Sequence, residues 1–168
     1  MLQTVGDMAR SIVVVLAAVA VILIITHRAS PDPIRDVNIT EPLIVAKMSA
    51  GFPVLVPQRQ DGYRLTSARW ENSKPGVWHL GYVTPETTYV QVEQSVSKEL
   101  NFISDQLNGT SKSGTTLING TEWTTYSGSG KSALVRTRNG VTTAVSGTAP
   151  LAELTGVAGS LATPAQAQ

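Results

Sequence analysis

The 168 residues contain no cysteine, which excludes disulfide staples, a thiolate nucleophile and Cys-ligated zinc. Histidine is nearly as scarce. There are two, His27 and His79, and neither stands in an HxH or HExxH spacing or beside a carboxylate cluster. No metal centre is expected on that basis, and no cofactor motif is present. An excess of charge of one sign is missing as well. Thirteen Lys and Arg face 12 Asp and Glu, a net charge of +1. A neutral, mixed surface attracts a polyanion poorly, so nucleic acid is not an expected partner. No repeat of solenoid length occurs, and no Gly-x-Ser-x-Gly elbow surrounds any serine.

What the chain does have is one long apolar run near its start. Ile12 to Ile25 reads IVVVLAAVAVILII, and with Ser11 and Thr26 the uncharged stretch is 16 residues long. As a helix it would span roughly 24 Å, somewhat less than a ~30 Å hydrocarbon core. Arg10 and Arg28 can extend it by reaching outward to the interface. No polar face exists at any helical angle, which argues against a core helix. A cleaved signal peptide needs small residues just beyond the run, and His27 stands where one is wanted. The expectation is an uncleaved single-pass signal-anchor over residues 11–27, with the lipid bilayer as its partner. Flanking Lys and Arg do not decide its orientation.

Residues 28–42 hold Pro31, Pro33 and Pro42 and read as a proline-rich linker. Residues 43–162 are the expected folded domain, and 163–168 a frayed tail. Within the domain, Leu43–Met48 and Pro53–Val56 are short apolar runs read as strand signals, the second near an edge. Tyr63–Trp70, Val77–Val83 and Thr88–Gln94 are strand candidates. In Val77–Val83, Trp78, Leu80 and Tyr82 share one face, leaving His79 and Gly81 on the other. Val96, Leu100, Ile103 and Leu107 recur at helical spacing, with Ser95 or Ser97 as a cap. Two hairpins are expected about Asn119-Gly120 and Asn139-Gly140, because both residue types accept the positive φ of a type I′ turn. Gly128-Ser129-Gly130-Lys131-Ser132 is too closely spaced for a phosphate loop and reads as a hairpin connection. Leu151, Leu154, Ala158 and Leu161 mark a last helix capped by Thr148. The expected fold class is therefore α+β: an antiparallel β-sheet with packed helices, preceded by one N-terminal transmembrane helix.

Several segments also carry a resemblance. Asp7-Met8-Ala9-Arg10-Ser11 leads into the apolar run. Gly76-Val77-Trp78-His79-Leu80-Gly81-Tyr82-Val83-Thr84-Pro85 follows, then Glu93-Gln94-Ser95 and Gly120-Thr121-Glu122-Trp123. Ala133-Leu134-Val135-Arg136 and Ser146-Gly147-Thr148-Ala149 come later, before Glu153-Leu154 and Ser160-Leu161. Together they resemble the actinobacterial membrane-anchored family known as domain of unknown function 4245 (DUF4245). The resemblance implies a cytoplasmic N-terminus over residues 1–10 and an extracytoplasmic domain held at the cytoplasmic membrane. It brings no activity and no site residues. The order of elements is also similar to PsbP- and Mog1-type folds, which are mostly accessory modules.

Function is thus expected to be non-catalytic: an accessory or binding module of the bacterial cell envelope, whose partner is another envelope or membrane protein. The expected contact residues are His79, Gly81, Tyr82, Arg136 and Arg138. The first two share a strand face, and the arginines lie on one face beside Leu134, as a solvated surface or an anion site. The alternative is a cell-envelope hydrolase built on His79 with Glu93 or Asp61. That reading requires the imidazole to meet a carboxylate at ~2.6–3.2 Å within a cleft.

Overall fold

The computed structural model describes residues 2–26, 36–58, 61–98, 101, 104 and 107–164. The chain divides into two compact units, Met1–Pro33 and Ile34–Gln168.

The first unit is helix α1, Leu2–Thr26. Its described large side chains are all solvent-facing: Ile12, Val13, Val14, Val15, Leu16, Val19, Val21 and Ile22 are each between 45% and 68% exposed. Among the described residues, no helix is long and apolar enough to cross a membrane.

The second unit opens with helix α2, Thr40–Ser49, where the sequence suggested linker and then strand. The side chain of Asn38 accepts the Thr40 N–H at 2.8 Å, and Glu41 lies in the first turn, where a negative charge suits the helix dipole. Pro42 also falls within that turn, where its missing N–H costs nothing. The Leu43-Ile44-Val45-Ala46 run has no period of two, and the helix buries Ala46 completely. The short strand β1, Val56–Pro57, pairs antiparallel with the terminal β9, Leu161–Ala162.

Seven strands build the main sheet: β2 Arg64–Glu71, β3 Val77–Val83, β4 Tyr89–Ser95, β5 Ser111–Ile118, β6 Thr121–Gly128, β7 Lys131–Arg138 and β8 Val141–Gly147. Their order is β2-β3-β4-β8-β7-β6-β5, and each neighbouring pair is antiparallel. The chain thus meanders through β2 to β4, crosses to the far edge, and meanders back until β8 joins β4. Three two-residue turns set the return. Asn119, Ser129 and Asn139 have φ of 49°, 50° and 52°, and Gly120, Gly130 and Gly140 follow at 72°, 72° and 76°. The Ser129-Gly130 connection is therefore a third hairpin of the same kind.

Helix α3, Leu151–Ser160, starts at Pro150 with no side-chain cap. Thr148, expected as the cap, instead accepts the Tyr89 N–H at 3.0 Å. Leu151 is exposed while Leu154, Val157 and Ala158 are buried, and Leu161 has left the helix for β9.

One sheet face carries Trp78, Leu80, Val90, Val92, Trp123, Leu134 and Val145, packed with Ala46 of α2, Val54, and Leu154 and Val157 of α3. Each such buried side chain is worth about 1.5–3 kcal/mol over an exposed one. The opposite face holds a smaller cluster of Leu107, Tyr126, Ala133, Val135 and Ala144. Of the helix expected over 96–107, Leu100 and Ile103 lie outside the described residues. Asn101 and Ser104 are helical and Leu107 is buried, but Val96 is 53% exposed and does not share its face.

Candidate functional site

Two places in the second unit concentrate polar chemistry. The first is a row across the sheet. Register sets Arg69 opposite His79, His79 opposite Glu93, and Glu93 opposite Ala144, so all project from one face. His79 Nδ1 lies 3.0 Å from Glu93 Oε1, with the two side chains only 6% and 4% exposed. Gln91 donates from Nε2 to the other carboxylate oxygen at 3.1 Å. Both oxygens of Glu93 are therefore held by protein groups. Beside the pair, Arg69 donates to Glu71 at 2.7 Å and to Ser67 at 2.8 Å. Gly81 is there for space: a Cβ on it would collide with the hydroxyl of Tyr89.

This changes the reading of the Gly76–Pro85 segment. His79 and Gly81, expected on a partner-facing surface, are both buried, and Tyr82 is half-buried. The alternation is real, but the sheet is covered on both faces here, so a polar strand face became an internal polar row. The carboxylate that meets His79 is Glu93. Asp61 is exposed in the turn before β2.

The second place lies on the other face, at the β7–β8 end. Arg136 stacks on the Trp123 ring with its guanidinium carbon 4.6 Å from the centroid. Continuing the ladder from Thr124↔Val135 sets these two residues opposite each other. The two arginines border a cavity of about 240 Å³, walled by Pro53, Leu55 and Val141 and edged by Gln94, Asn139 and Thr143. The wall is fixed from below. Gln94 accepts the Leu55 N–H at 2.6 Å, Trp78 Nε1 donates to the Leu55 carbonyl at 3.1 Å, and Gln94 Nε2 donates to Thr143 at 3.4 Å. Burial, and then the neighbouring charge of Arg138, pull the Arg136 pKa below the usual arginine value. A smaller cavity of about 80 Å³ lies between Tyr89, Gln91, Leu107, Lys131 and Ser146. His79 and Glu93 line neither cavity.

Sequence reasoning missed Trp123 as the platform for Arg136, and Gln94 as the post that holds Leu55. The first was recoverable. A two-residue turn at Ser129-Gly130 fixes the β6–β7 register and with it the Trp123–Arg136 pair. The second was not, because nothing local announces a buried glutamine that serves a segment 39 residues away.

Three tyrosines resist ionisation. Burial pushes Tyr82 up to about 12. Tyr63 is raised by burial and then by its hydrogen bond to Glu153, and burial is the main cause of the rise at Tyr89. The folded state favours the neutral phenols, so their contribution is complete below an unfolded pKa of about 10. It is lost as pH rises from there through the folded values. Phenolate absorbance of the folded chain is expected to lag that of the urea-unfolded chain between about pH 10 and 12, with the urea midpoint falling across that window. Coincident titration curves would contradict this.

No curated protein and no solved structure matches the chain. The sequence profile of one family, described as protein of unknown function (DUF4245), matches residues 1–161, from the first helix through the start of the last strand. That match spans nearly the whole chain, both units included, and the protein belongs to the DUF4245 family.

Proposed function

We propose that the protein is a single-pass, membrane-anchored binding module of the bacterial cell envelope, with its second unit on the extracytoplasmic side and acting by contact. The observation that carries this reading is α1. From Ile12 to Ile22 every described large side chain is apolar and exposed, around the whole circumference of the helix. The apolar sequence continues through Leu23, Ile24 and Ile25. Water is a poor solvent for such a surface, and hydrocarbon is a good one. The resemblance that the sequence carries supports the extracytoplasmic side.

The binding role is supported by the second site. Its concave cavity combines apolar walls with a few convergent polar groups, the usual make-up of a ligand site. The His79–Glu93 pair has the distance of an acid–base couple but not the surroundings. Both carboxylate oxygens are occupied, and neither cavity reaches the pair. We read it as a buried structural hydrogen bond rather than the centre of a hydrolase.

Fractionation tests the anchor. The full-length protein is expected to stay in the pellet through alkaline carbonate washing and to keep its own N-terminal peptide by mass spectrometry. A variant lacking residues 11–26 should move to the supernatant. Carbonate release of the intact chain, or a mature chain that begins near Ser30, would overturn the anchor.

A further inference from the structure

We propose that the cavity at Arg136 and Arg138 is a binding site for a small organic anion, a carboxylate or phosphate monoester that carries a short apolar group. The inference deepens the reading of the domain as a binding module and rests on it, but it does not depend on the anchor.

The cavity carries a charge imbalance. Among the described residues, neither guanidinium has a carboxylate within ion-pair distance, and no acidic residue lines the cavity. Arg136 is half-buried, and a desolvated charge without a counter-ion is costly. A second cation beside it adds repulsion, and an anion placed between them would relieve both penalties.

The geometry suits that role. Stacking on Trp123 holds the Arg136 plane by one face, which leaves its N–H edge free to form the parallel donor pair that matches carboxylate or phosphate oxygens. Arg138 is exposed at the rim and can supply the second charge. The hydroxyl of Thr143 and the amide of Asn139 add neutral polar groups. The remaining walls, Pro53, Leu55 and Val141, are apolar and have nothing to offer a bare inorganic ion. They favour a ligand with a hydrocarbon end. At about 240 Å³ the cavity holds about eight water-sized groups of ~30 Å³ each. That fits a C4 acid or ester and rules out a nucleotide lying wholly inside.

The test is a titration of the full-length chain in uncharged detergent micelles with butyrate and with butyl phosphate, read by tryptophan emission and by calorimetry. Saturable one-to-one binding of at least one is expected. Arg138→Gln should weaken it at least about tenfold, the scale of one charge-assisted hydrogen bond, without moving the thermal midpoint, because the residue is exposed. Arg136→Lys keeps the charge but loses the fork and should weaken it as well. In nanodiscs, displacement of butyl phosphate by added phosphatidylglycerol would identify a lipid headgroup as the source. Indifference to that lipid would identify a soluble anion. Either result upholds the site. Absence of saturation with both probes overturns the proposal, as does unchanged affinity in both variants. Acetate and inorganic phosphate binding as tightly as the butyl compounds would overturn the organic-anion assignment. The micelle titration needs no membrane insertion, so its failure and the failure of the carbonate test are distinguishable.

Discussion

Replacing Glu93 with alanine should destabilise the folded domain by about 1–3 kcal/mol, the usual loss when a buried polar group is left without its hydrogen-bond partner. The side chains of Glu93 and His79 are 4% and 6% exposed, with 3.0 Å between Oε1 and Nδ1. Removal of the carboxylate leaves the buried imidazole nitrogen unpartnered, and the half-buried Gln91 amide loses its acceptor. His79→Ala should be costly for the same reason, although the sequence had suggested a surface contact residue. Replacing both together, with His79→Leu and Glu93→Met, removes the desolvation penalty along with the attraction and should recover much of the loss. Urea unfolding followed by tryptophan fluorescence measures all three, and with His79→Leu and Glu93→Met also made singly the cycle closes and its coupling energy isolates the pair. A loss below about 1 kcal/mol for Glu93→Ala, the ordinary scale of a surface change, would mean that water reaches the pair. A domain of this size has about 5–15 kcal/mol in total, so the single variants should stay folded with a clearly lowered urea midpoint.

The parts of this fold that were legible in the sequence are those where local chemistry and final environment agree. Asn119-Gly120 and Asn139-Gly140 lie at positive φ in two-residue turns, because the turn itself demands those residues. Val77–Val83 is a strand of those bounds, and its bulky face is in the core. The misreadings share a different cause. Leu43 to Met48 is equally compatible with strand and helix by composition, and what decided it was the Asn38 cap, the first-turn Glu41 and the fit of Ala46 against the sheet. Of the Pro53–Val56 run read as a strand, only Val56 joins a ladder; the backbone at Leu55 is held by the side chains of Gln94 and Trp78 instead. His79 was assigned to an outer face because polar residues usually face water. It is internal because Glu93, on the next strand, gives it a partner there. Of the site, the two arginines were visible on one face beside Leu134. The cavity was not, since its far wall comes from residues 53–55 and its floor from β4. Packing between distant segments has no local signature.

Trp123→Ala is expected to be more damaging than the loss of Glu93, at about 3–5 kcal/mol, and Trp123→Phe far less so. The ring is 1% exposed and packs in the main cluster with Ile118, Leu134 and Leu154, so truncation opens a large cavity where three elements meet. Phenylalanine refills much of that space. It also deletes an indole N–H that is buried with no hydrogen-bond partner among the described residues, a group whose desolvation costs about 1–3 kcal/mol. The lost ring area and the relieved polar group oppose each other, and a net cost below about 1.5 kcal/mol follows. The two variants separate packing from support of the site. Trp123→Phe keeps an aromatic face beneath Arg136 but a weaker one, since indole is the best cation–π partner. Its butyl phosphate affinity should therefore fall a few-fold while the urea midpoint scarcely moves. A midpoint as low as that of Trp123→Ala would show that the indole N–H is satisfied after all. Unchanged affinity would show that the stack does not orient Arg136.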